Sequence, residues 1–83
     1  MEQFISSPKV LGIAIKRQRK AKKLNQCEAG ASFKIEQSTL SSIENGAPGT
    51  RLETIFRVLA ALDLEMIIKS KNSSSKINEE DLW

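Results

Sequence analysis

The stretch IEQSTLSSIENG (35–46) gathers the side chains best suited to chemistry with a partner. Gln37, Ser38, Thr39, Ser41 and Ser42 carry amides and hydroxyls, with no lysine or arginine among them. Ile35, Leu40 and Ile43 keep the spacing of a helix that buries one face. Ser and Thr cost a helix roughly 0.5 kcal/mol each relative to Ala, so their place on a short helix asks for a reason other than stability. A glutamine amide pairs bidentately with adenine, while a hydroxyl gives to or accepts from either base and a threonine methyl packs on thymine. Short side chains there also let the backbone come close to the bases. The chemistry is non-covalent recognition.

Catalysis lacks its parts. The chain has no histidine and a single cysteine, Cys27, so the common zinc sites and hydrolase triads cannot be assembled. The ten acidic residues are scattered apart from the terminal run Glu79-Glu80-Asp81. The chain therefore reads as a non-enzyme with no cofactor and no metal. One cysteine also excludes an internal disulfide and fits a reducing cytoplasm. No apolar run approaches the ~20 residues of a membrane span, and the N-terminus has no signal-peptide pattern. We expect a cytoplasmic protein with no membrane contact.

The 83 residues make one domain with a tail. A domain of this size buries only about 60% of its unfolded-chain surface, so dimerisation would help it. Charge divides by region: residues 1–71 hold 12 basic and 7 acidic residues, a balance of +5, and residues 72–83 carry −2. A basic body points to a polyanion and the acidic tail to something else. A solvated surface with a solubilising tail is the plain alternative.

Five elements must position the chemistry. Ser7-Pro8 starts a first helix, since Ser caps and Pro is pre-set for the first helical position. Val10, Leu11, Ala14 and Ile15 give it an apolar face as far as about Lys22. Its last part, KRQRKAKK (16–23), holds six basic residues in eight. Cations favour a helix C-terminus, and nucleic-acid contact explains the excess equally well. Asn25 and Glu28 form a capping box for a short second helix over about 26–32. Gly30 inside it costs about 1 kcal/mol against Ala, which predicts the close approach of another helix. The third helix spans 37–44 and stops at Asn45-Gly46 in a left-handed turn. Thr50 and Glu53 form a second capping box, and Leu52, Ile55, Phe56, Leu59 and Leu62 predict a core helix over 51–62. Leu64, Met66 and Ile68 then alternate as a short strand. A single strand cannot satisfy its own backbone, so its partner is either the same strand of another copy or, as an extended segment, the core itself. Residues 1–7 read as an arm, 8–69 as the DNA-binding and dimerisation domain, and 70–83 as a disordered acidic tail.

Two short helices around a tight turn, with a tiny residue inside the first, describe a helix-turn-helix. LNQCEAGASFKIEQSTLSSIENG (24–46) resembles the phage-repressor-like helix-turn-helix family over about residues 8–64. That resemblance implies an all-α fold of the five-helix repressor type, here with a short C-terminal strand pairing across a dimer. It implies that Gln37, Ser38 and Ser42 read bases, that Gln26 and Asn45 contact phosphates together with Lys16, and that Arg19 and Glu44 form an internal salt bridge. Three positions depart from the family's pattern: Ala29 replaces a large apolar residue, Lys34 the turn glycine, and Glu36 the Ser or Thr that commonly caps the third helix.

The run ENGAPGTRLETIFRVLAALDLEMIIK and the short acidic tail ending in Leu82-Trp83 resemble, more narrowly, the HipB-type antitoxins. That resemblance implies a dimeric repressor of a palindromic double-stranded DNA operator that also binds a HipA-type Ser/Thr kinase toxin. Trp83 suits a peptide anchor, because Trp is enriched at interface hot spots; the alternative is a chance terminal residue. Two other functions stay open: a stand-alone phage or metabolic repressor, and an interaction module that lost DNA binding.

Overall fold

Ser7 accepts a hydrogen bond at Oγ from the Val10 amide (3.2 Å) and opens α1, Pro8–Ala21. The computed structural model describes residues 3–31 and 33–71. Three more helices follow: α2 Gln26–Ala31, α3 Gln37–Glu44 and α4 Leu52–Ala61. At α2 the capping box forms in both directions. The Asn25 side chain accepts from the Glu28 amide and the Glu28 carboxylate from the Asn25 amide, each at 2.8 Å. α3 ends as a Schellman turn, with Gly46 N donating to Ile43 O and Ala47 N to Ser42 O, both at 3.0 Å. Gly46 has φ of +84°, which no side chain adopts cheaply.

Among the described residues the fold is all-helical with four helices, not five. The segment from 64 to 70 is not a strand there. Leu64 is half-buried against the core and its amide donates to Leu59 O at 2.8 Å, while Met66 and Ile68 point outward. One chain offers that segment no partner edge, so it forms no ladder by itself.

The core is Ile15, Ala29, Ile35, Leu40, Ile43, Ile55, Val58, Leu59 and Leu62. Two residues assigned to it from periodicity are not in it: Leu52 is 60% exposed and Phe56 50%. Ile55, Val58, Leu59 and Leu62 make the buried stripe, and helical geometry swings Leu52 and Phe56 onto its flank. The capping box at Thr50 is also absent. Arg51 is the N-cap of α4 and makes no side-chain cap bond. The helix starts one residue late, which puts Thr50 and Glu53 out of register for the box.

Gly30 is where the helix-turn-helix closes. A Cβ there would run into the carbonyl oxygen of Ile35 and would also meet the Ile35 side chain at 3.2 Å. The neighbour is thus the backbone of the turn leading into α3, not a second helix. Ile35 N donates to Gly30 O at 3.0 Å and ties the same two residues together. Lys34, in the turn, has φ of +57°, an uncommon conformation for a side-chain-bearing residue.

Candidate nucleic-acid interface

α3 turns Leu40, Ile43 and Glu44 inward, and Ser38 and Ser42 stand on the opposite side in solvent. Gln37, the first residue of the helix, is exposed, and Thr39 and Ser41 are half-buried on the two flanks. Asn45 is exposed at the C-cap. The outward face therefore offers hydroxyls and two amides, with no long cation.

Three contacts fix this helix. α1 lies so close to its C-terminal end that a Cβ on Gly12 would clash with Ile43 O and stand 2.7 Å from Glu44 O. Arg19 of α1 donates to Glu44 twice, Nε to Oε2 at 2.6 Å and Nη2 to Oε1 at 2.9 Å. Its Nη1 donates to Leu24 O at 2.8 Å, so one guanidinium clamps α3 and the loop before α2. Burial alone would push the Glu44 carboxyl up. Hydrogen bonds from Arg19 and Gln26, with the charges of Arg19 and Lys16, hold it below the ordinary carboxylate value instead. The hydrogen bond to Glu44 likewise raises the Arg19 guanidinium.

From the ion pair a polar chain runs outward. Gln26 Nε2 donates to Glu44 Oε1 at 3.2 Å, and Gln37 Nε2 reaches Gln26 Oε1 at 3.5 Å, the outer limit of such a bond. The Cys27 thiol donates to Gln37 Oε1 at 3.2 Å. The structure thus gathers Gln26, Cys27 and Gln37 at the joined N-terminal ends of α2 and α3.

The cations lie beside this face. Lys9, Lys16 and Lys20 are all exposed, and their spacing puts them on one flank of α1. Lys9 Cα would lie 2.8 Å from a Cβ on Gly46, so that flank passes the C-terminal end of α3. The basic run 16–23 does not act as a whole. Arg19 is spent inside, and Lys22 pairs with Asp63 at 2.6 Å across to the end of α4.

A helix-turn-helix family profile matches residues 15–68. Antitoxin HipB of Escherichia coli (strain K12) is 35% identical over 79 residues, which covers 94% of this chain and 90% of HipB. This chain belongs to the HipB-type helix-turn-helix family. The HipB-type fold also matches solved structures. A HipB–O4 20mer complex is similar with a TM-score of 0.80 and 34% identity, covering 86% of this chain and 100% of that one. The HipA–HipB–O2–O3 complex matches with the same TM-score, identity and coverage.

Within this HipB-type chain, sequence reasoning missed two residues that serve the site. Gly12 carried the signal already used for Gly30, a glycine inside an apolar helical pattern. Cys27 carried none, because its role depends on Gln37, ten positions away. Leu82 and Trp83, expected to touch a partner, lie outside the described residues.

Proposed function

We propose that this HipB-type chain is a dimeric, sequence-specific operator-binding autorepressor and the antitoxin of a HipA-type Ser/Thr kinase toxin. The observation that carries this reading is the outward face of α3, Gln37, Ser38 and Ser42, backed by the Arg19–Glu44 pair. Polar groups on a rigid element can read base edges, and α3 supplies both. Gln37 and the two serines contact base edges, and Gln26, Asn45 and Lys16 contact phosphates. Phosphate contacts supply affinity that falls steeply with salt, and base contacts choose the site.

The dimer follows from what is left uncovered. Leu52, Phe56, Met66, Ile67 and Ile68 are exposed apolar residues on α4 and the segment after it, and a second copy would bury them. Leu64, Met66 and Ile68 then pair with the same segment of the partner. Two such copies set recognition helices about 34 Å apart, in successive major grooves of a palindrome. HipB stands in a complex with HipA among the solved relatives, which supports a kinase as the second partner. Leu82 and Trp83 anchor it, and the kinase is restrained without a plug in its active site.

The test has two arms. Fluorescence anisotropy compares palindromic duplexes from the DNA upstream of this gene with scrambled duplexes at several salt concentrations. We expect a palindrome among them to bind at least about 1,000-fold more tightly at physiological salt; equal affinities would reject operator reading. Co-purification then compares the full chain with a chain ending at residue 71, using a HipA-type kinase as the partner. Equal retention of the kinase by both would move the toxin contact off Leu82 and Trp83.

A further inference from the structure

Glu36 stands at the N-cap of α3 yet does none of the work of a cap: its side chain makes no hydrogen bond to the helix it precedes. Free amide donors and the helix dipole would both welcome a carboxylate folded back there. It also has no ion-pair partner among the described residues, although Lys34 and Arg57 line the same groove. Arg57 is engaged by Glu53 at 3.1 Å. What remains is an exposed, unpaired carboxylate on extended backbone (φ −69°, ψ 147°), immediately before Gln37.

In a helix-turn-helix the N-terminal residues of the second helix reach the base edges. An anion in that place is repelled by phosphates and lowers affinity for every sequence. Only a donor on a base edge offsets the loss. In the major groove cytosine presents the N4 amine, adenine presents its N6 amine beside the N7 acceptor, and guanine presents two acceptors. A carboxylate has no donor to give. Its second oxygen would therefore oppose adenine N7, and both of its oxygens would oppose guanine. An amide such as Gln37 matches adenine, whereas a carboxylate matches cytosine.

We propose that Glu36 is a specificity-determining residue of the operator-binding face: it accepts a hydrogen bond from the N4 amine of a cytosine beside the base read by Gln37, and it rejects guanine in that place. This rests on the operator-binding function proposed above and adds a named base to it. It also gives Glu36 a role that helix stability does not.

The experiment is selection from a pool of randomised duplexes by the full-length wild type, Glu36→Ala and Glu36→Gln, followed by affinity measurement on the winning and random duplexes. The wild type should enrich cytosine at one position, with about fivefold or greater preference over guanine. Glu36→Ala should lose that preference alone and bind random duplex several-fold more tightly. Glu36→Gln should move the preference toward adenine. If Glu36→Ala keeps every base preference of the wild type, the inference is overturned, whatever happens to its affinity for random DNA. If the wild type enriches no sequence at all, operator binding itself fails, which is a different result.

Discussion

Arg19 and Glu44 meet in a two-point ion pair that joins α1 to the last turn of α3, with the shorter bond at 2.6 Å. Both residues are buried, 8% and 7% exposed. Removing one partner of such a pair strands the other charge out of water, which costs about 3–5 kcal/mol. Arg19→Ala and Glu44→Ala should each lose that much in urea unfolding at fixed protomer concentration. Replacing both together should cost less than the sum of the two, because no orphaned charge remains. Additive losses would mean that the two side chains do not act as a unit.

The same pair sets an acid limit. The Glu44 carboxyl is held below its ordinary value in the folded chain, as burial is outweighed by the bonds from Arg19 and Gln26. A depressed carboxylate contributes stability that is complete above the unfolded value of about 4.3. That contribution is lost as the pH falls through the lower folded value. Stability measured between pH 7 and 3 should therefore drop more steeply in the wild type than in Glu44→Gln. Parallel curves would falsify the assignment of this acid sensitivity to Glu44.

Gly12→Ala sets two magnitudes against each other. Helix propensity alone would favour Ala by about 1 kcal/mol. Against that, the added Cβ would meet backbone, Ile43 O and, at 2.7 Å, Glu44 O, and backbone cannot swing aside. Overpacking of this kind costs about 1–3 kcal/mol. We expect net destabilisation in thermal unfolding. A stabilised variant would show that α1 and α3 can separate without loss.

How far the sequence carried is clear from particular residues. Ser7-Pro8, Asn25 with Glu28, and Asn45-Gly46 were legible, because caps and stops act over three or four positions and leave local signatures. The first three helices follow from them. α4 was legible as a helix but not as a surface. Leu52 and Phe56 are apolar and helically spaced, and an exposed apolar flank has the same pattern as core. Val58, 1% exposed, was hidden in that crowd. The turn's approach to Gly30 and the Cys27–Gln37 contact depend on how the chain folds back, which periodicity does not encode. For the site, Ser38 and Ser42 were visible through their low helix propensity and Gln37 through its amide, and the structure leaves all three exposed.

Gln37→Ala separates reading from clamping. If the amide pairs with adenine, its loss should cost about 1–3 kcal/mol on the preferred duplex and almost nothing on random DNA. The salt dependence should stay the same, since no phosphate contact is removed. Anisotropy titrations on both duplexes decide it. An equal loss on the two would make Gln37 a backbone contact.

Phe56 and Ile68 test the dimer. They are 50% and 92% exposed on the single chain, and exposed large apolar residues that form a patch mark an interface or a liability. Phe56→Asp and Ile68→Asp should leave the helical circular dichroism of the domain nearly intact, because neither side chain is in its core. Each would place a charge in the proposed contact and oppose it to its own symmetry mate or leave it unpaired, costing several kcal/mol. Sedimentation should then show monomers at concentrations where the wild type is dimeric. Met66→Pro should do the same by removing one amide donor from the paired segment. Operator affinity should fall with the dimer, since one half-site alone holds a single recognition helix. A Met66→Pro chain that still sediments as a dimer while Phe56→Asp does not would place the contact on α4 and take the segment from 64 to 70 out of it.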